Sequence, residues 1–106
     1  MSCHPESLVW SDEFEEDSLN TNNWNYQVLP AGRFNGEWQA YTDSEQNTYI
    51  EDGALVIKAN YEGGAHGMGK YTSARLNTAQ KQSWKYGKIA ARIKLPYSEA
   101  LWPAFW

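Results

Sequence analysis

Thr48-Tyr49-Ile50-Glu51, then Asp52-Gly53, then Ala54-Leu55-Val56-Ile57-Lys58-Ala59: two β-prone runs meet at a two-residue junction. Asp-Gly between such runs favours a tight hairpin turn, because glycine tolerates the positive φ required there. The three consecutive apolar residues Leu55, Val56 and Ile57 predict a strand covered on both faces. A hairpin is thus expected in the middle of the chain.

Outward from it, the pattern stays β. On the N-terminal side, Leu8-Val9-Trp10 opens a short strand before an acidic run from Asp12 to Asp17. Asn20-Thr21-Asn22-Asn23-Trp24 has the polar run of a turn or one helical turn, with Asn20 as a candidate cap. Residues 24–29 and 37–41 alternate and predict strands, separated by a loop over 30–36. On the C-terminal side, Gly63, Gly64, Gly67 and Gly69 make a loop, and residues 71–76 predict a strand. A further strand is expected over 88–95, with Ile89, Ala91, Ile93 and Leu95 on one face and Lys88, Arg92 and Lys94 on the other. No ten-residue stretch has helical periodicity, so the class is all-β and the spacing of short strands suggests a sandwich.

Composition narrows the functions. A chain of 106 residues allows one domain with a modest core. Net charge is −4 and the nine Lys and Arg are scattered, which argues against nucleic acid as partner. No apolar run reaches membrane-span length, and none resembles a signal-peptide core at the N-terminus. The single cysteine, Cys3, forms no intrachain disulfide; it is read as an unimportant thiol on a flexible segment, residues 1–7, with a lipid-attachment remnant as the alternative. His66 lies in the glycine-rich loop and is read as solvent-exposed. Trp10, Trp24, Trp38 and Trp84 are assigned to core or rim.

Leu101-Trp102-Pro103-Ala104-Phe105-Trp106 points to a ligand class. Two indoles four residues apart on a strand share a side, and a broad aromatic face can stack on the C–H face of a pyranose. This segment is one of five motifs in order. The others are Val9-Trp10-Ser11-Asp12-Glu13-Phe14, Asn35-Gly36-Glu37-Trp38-Gln39-Ala40-Tyr41, Thr72-Ser73-Ala74-Arg75-Leu76 and Tyr86-Gly87-Lys88-Ile89-Ala90-Ala91-Arg92-Ile93-Lys94. Together they resemble the N-terminal part of a glycoside hydrolase family 16 laminarinase, an endo-β-1,3-glucanase, over residues 8–106.

That resemblance implies a jelly-roll sandwich of two curved antiparallel sheets, like the legume lectins, with a β-glucan cleft on the concave sheet. It implies a retaining mechanism, with two carboxylates roughly 5–5.5 Å apart on a Glu-x-Asp-x-x-Glu strand. These 106 residues contain no such motif, so no catalytic residue is assigned and the chain is expected to be inactive alone. Glu13, Glu15 and Asp17 alternate, but the family places that stretch away from the cleft. Carried over as sugar-binding positions are Asn35, Arg75, Trp102 and Trp106; Glu37 and Tyr41 are neighbours not assigned to the site. No cofactor is required, although many members hold a structural calcium whose ligands include the positions of Glu13 and the Gly53 carbonyl. The resemblance also implies a secreted or cell-envelope location for the parent form.

Sandwiches of this kind commonly run to roughly 200–250 residues. Open strand edges and uncovered apolar faces are therefore expected, with a second copy of the chain covering them. The competing readings are a truncated endo-β-1,3-glucanase, a non-catalytic carbohydrate-binding module, and an oligomerising β-sandwich fragment without a ligand.

Overall fold

Hydrogen bonding between short extended segments organises this protein, whose computed structural model describes residues 8–33, 36–64, 67, 70–96 and 103–106. All regular structure among them is β: β1 (Asn25–Tyr26), β2 (Gln39–Tyr41), β3 (Thr48–Glu51), β4 (Ala54–Ile57), β5 (Asn60–Tyr61), β6 (Tyr71–Ser73) and β7 (Leu76–Asn77). They form the ladders β1-β7, β2-β6-β5 and β3-β4. The all-β expectation holds.

The hairpin forms as its residues dictate. Thr48 pairs with Ile57, Tyr49 with Val56, Ile50 with Leu55 and Glu51 with Ala54. Asp52 and Gly53 both adopt positive φ, 52° and 73°, the left-handed geometry of a tight two-residue turn. The expectation of cover on both faces fails among the described residues. Leu55 and Val56 are half-buried and Ile57 is exposed.

Around the hairpin, β5 and β6 are antiparallel and β2 and β6 are parallel, which departs from the all-antiparallel expectation. Backbone bonds carry this sheet into the β1-β7 ladder: Leu29 and Tyr41 exchange bonds of 3.0 and 2.9 Å, and Gln27 N–H donates to the Arg75 carbonyl at 2.9 Å. That last bond explains why the strand expected over 71–76 is split. The Arg75 carbonyl turns towards residue 27, leaving Ala74 and Arg75 between β6 and β7.

A polar residue ties the layers. Asn47 is almost fully buried; its amide donates to the Lys58 carbonyl at 2.9 Å and to Thr72 Oγ1 at 3.0 Å, while its Oδ1 accepts from Thr42 Oγ1 at 2.5 Å. Both amide hydrogens and the acceptor are used, so burial leaves no unmet demand on that side chain. Apolar burial is sparse: among the described residues, Leu19, Tyr41 and Ala74 are the buried hydrophobic ones.

A second cluster is aromatic. Trp10 meets Trp24 at 6.0 Å and Trp84 at 5.0 Å between ring centroids, and Phe14 meets Trp24 at 6.2 Å. Asp12 joins it through both carboxylate oxygens, accepting from Phe14 N–H at 3.0 Å and Trp24 Nε1–H at 2.7 Å. The core or rim assignment of these indoles holds, but Leu8-Val9-Trp10 is not a strand. Edge-on and tilted ring contacts, not a backbone ladder, hold Trp10 in place.

Residues 88–96 also carry no strand, against expectation, and every one of them is exposed. Ile89, Ile93 and Leu95 stand 69, 52 and 64 % exposed. No strand lies beside them among the described residues, so their backbone has no ladder to join. The same holds for 103–106, expected to end a strand. The radius of gyration, 16.2 Å, exceeds the roughly 13 Å of a compact domain of this length.

Candidate functional site

Arg75 is the centre of the described site. It lies half-buried at the junction of β6 and β7, where its carbonyl is fixed by the Gln27 N–H. Its side chain returns to the same residue: Arg75 Nε–H donates to Gln27 Oε1 at 2.8 Å. Two bonds to one partner set both ends of the arginine. Its guanidinium carbon then lies 6.0 Å from the centroid of the Tyr41 ring and 5.0 Å from that of Trp106. Both distances are within the range of cation–π attraction.

Beside the arginine is a polar row that follows from strand alternation. Glu37, Gln39 and Tyr41 are spaced by two, so their side chains share a face. Tyr41 Oη donates to the Glu37 carboxylate, 3.0 Å from each oxygen, and Gln39 Nε2 donates to Glu37 Oε2 at 3.1 Å and to Tyr41 Oη at 3.0 Å. Burial raises the Tyr41 phenol above its ordinary pKa, Gln39 and Arg75 oppose the rise, and the Glu37 carboxylate adds to it. The phenol therefore stays protonated and donating through neutral pH.

Of the four binding positions carried over from the resemblance, Arg75 and Trp106 are brought together, whereas Asn35 and Trp102 lie outside the described residues. Trp106 is 84 % exposed, with one face towards the guanidinium, which suits a platform better than a core position. The sequence alone does not single out Gln27 or Gln39, and it leaves Glu37 and Tyr41 unassigned. The period-two spacing of Glu37, Gln39 and Tyr41 was the available signal. Nothing in the sequence pairs Gln27 with Arg75, 48 residues away.

The other acidic candidates lie elsewhere. Glu13 and Glu15 are exposed and line an open recess of about 290 Å³ with Ser11, Asp12, Asn20 and Asn23; Arg75 is not part of its wall. Calcium takes six to eight oxygens. Among the described residues, no three His, Cys, Asp or Glu side chains cluster as metal ligands. Both Asp12 oxygens already accept protein hydrogen bonds, and Gly53 sits in the β3–β4 turn.

The Arg75 guanidinium thus lies against two aromatic rings, one of them an exposed indole, and is bordered by amide, carboxylate and phenol groups. Comparisons with known proteins give the chain's relatives. The chain is 40% identical to the glucan endo-1,3-beta-glucosidase A1 of Niallia circulans and 42% identical to the beta-glucanase of Rhodothermus marinus, over 94% and 93% of its length. The solved laminarinase of Rhodothermus marinus superposes on 76% of the chain with a TM-score of 0.66 at 41% identity. No family model matches. The resemblance drawn from the five motifs holds: in sequence and fold, the chain is related to the glycoside hydrolase family 16 laminarinases. It spans 17% and 35% of the two sequence relatives' lengths and 32% of the solved chain.

Proposed function

We propose that these residues form the sugar-binding part of an endo-β-1,3-glucanase that hydrolyses laminarin-type β-glucan with retention. The observation that carries this reading is the convergence of Arg75 and Trp106, 5.0 Å apart, on positions that the resemblance assigns to glucose recognition. Arg75, positioned by Gln27, directs its N–H fork at sugar hydroxyls, which are good acceptors. Trp106 offers a stacking face for the pyranose, and Asn35 and Trp102 complete the set of binding residues. The general acid/base and nucleophile lie outside these 106 residues, which contain no Glu-x-Asp-x-x-Glu motif. A secreted or cell-envelope location suits a polymer substrate.

The chain alone should therefore bind laminari-oligosaccharides and release no reducing ends from laminarin. Titration followed by tryptophan fluorescence should show saturable binding, weakened about tenfold or more by Arg75→Ala. Sugar release by the pure chain would contradict the assignment of chemistry elsewhere. Absence of a fluorescence change at millimolar sugar would remove the binding role. We also propose that the chain self-associates, with a second copy covering the exposed apolar side chains of residues 88–95.

A further inference from the structure

A row of aromatic rings extends the site described above along the same sheet. Tyr71 on β6 is paired with Tyr61 on β5 and with Gln39 on β2. Paired residues in a ladder project to the same face, and Tyr41 lies two residues beyond Gln39, so Tyr61, Tyr71, Gln39 and Tyr41 share one face. Ring geometry agrees. Tyr61 and Tyr71 lie 5.3 Å apart between centroids, and Trp38 stacks on Tyr71 at 6.2 Å with an interplanar angle of 27°. Trp38 and Tyr61 are 51 and 45 % exposed, although each is a large apolar group.

A folded domain gains by covering such rings, with roughly 25 cal/mol for each Å² removed from water. Here they stay at the surface, next to a polar row that already fixes orientation. The opposite face shows the contrast: Thr72 and Asn60 are occupied by bonds to Glu62 and Asn47 and to the Gln46 carbonyl, respectively. We propose that Trp38, Tyr71 and Tyr61 form an outer platform on which further units of the same glucan chain stack beyond Arg75 and Trp106. The occupant is a β-linked glucan because the row is continuous with the Arg75 site through Tyr41 and Gln39. It alternates flat rings with amide and hydroxyl groups, which fit pyranose faces and hydroxyls in turn. The inference rests on the glucan-binding reading above.

Chain length is the readout. The wild-type chain should bind laminarihexaose about tenfold more tightly than laminaritriose, since extra units reach the outer rings. In the double variant Trp38→Ala/Tyr61→Ala, the gain should fall below about twofold while triose affinity is kept. Tyr86→Ala removes an exposed aromatic away from the row and should change neither affinity. Arg75→Ala should weaken both sugars alike. A double variant that keeps the full hexaose gain, with circular dichroism unchanged, would overturn the platform and leave the inner site standing. Wild-type chain that binds neither sugar would remove the glucan-binding reading itself, and the platform with it. A platform that instead captured an unrelated protein, with hexaose unable to compete, would also refute it.

Discussion

The β2–β6 region and the segment 88–95 carry comparable strand patterns and end in opposite conditions. Between β2 and β6, strands separated by short loops find one another, and Asn47 welds two of the loops to the sheet. In 88–95 the alternation is cleaner, with Ile89, Ala91, Ile93 and Leu95 on one side, but no partner strand is present among the described residues. Alternation specifies which face a strand buries. It does not supply the neighbour that makes it a strand. Stability in this chain therefore follows hydrogen-bonded connectivity more closely than hydrophobic content.

The largest expected effect tests that claim at its strongest point. Asn47→Ala removes an acceptor and two donors from a buried position and strands the Lys58 carbonyl. Bonds of this kind contribute about 1 kcal/mol each, and unpaired buried partners add to the loss, so stability should fall by about 2–4 kcal/mol. That is enough to erase a cooperative urea transition in a marginal domain. Ile93→Ala, by contrast, trims an exposed side chain and should stay within about 0.5 kcal/mol of wild type for the monomer. If the isoleucine cost more than the asparagine, the comparison would be reversed.

The unpartnered segment yields the second effect. Sedimentation of the chain at micromolar concentration should show self-association, because three large apolar side chains of one alternating face are exposed together. Ile89→Asp/Ile93→Asp adds two charges to that face and should shift the population towards monomer by about tenfold or more in dissociation constant. A wild-type chain that sediments as a folded monomer would show that the face needs no cover.

How much of this was legible beforehand depended on the range of the signal. The Asp52-Gly53 turn and its flanking strands are written locally, and they formed with the expected register. Motif resemblance singles out Arg75 and Trp106 separately, but nothing local says that their side chains meet. Asn47 was overlooked because its role depends on Lys58 and Thr72, 11 and 25 residues away, and an Asn between Gln46 and Thr48 reads as a turn residue. The parallel β2–β6 pairing and the Gln27–Arg75 contact are likewise products of topology. The strand expected over 88–95 fails for the complementary reason: its local pattern is sound, and no partner lies among the described elements.

The smallest effect probes the border between the two regions, where Tyr41 lies beneath the Arg75 guanidinium. Its phenol pKa is raised in the fold, first by burial and then by Glu37. Tyr26 is raised too, by burial and by the charges of Asp43 and Glu45. A raised folded-state pKa means that the unfolded chain gives up its proton first as pH increases. The associated stability is then complete below the ordinary phenol pKa near 10 and is lost as pH climbs from there through the folded-state values. The diagnostic quantity is the difference between wild type and variant. Tyr41→Phe should be somewhat less stable at pH 7, because Glu37 and Gln39 lose a shared partner. Between pH 9 and 11 its stability should fall less steeply than that of wild type in parallel urea titrations. Equal slopes would mean that the phenol is as well solvated in the fold as outside it, and that the arginine rests on a wet surface instead of a dry aromatic floor.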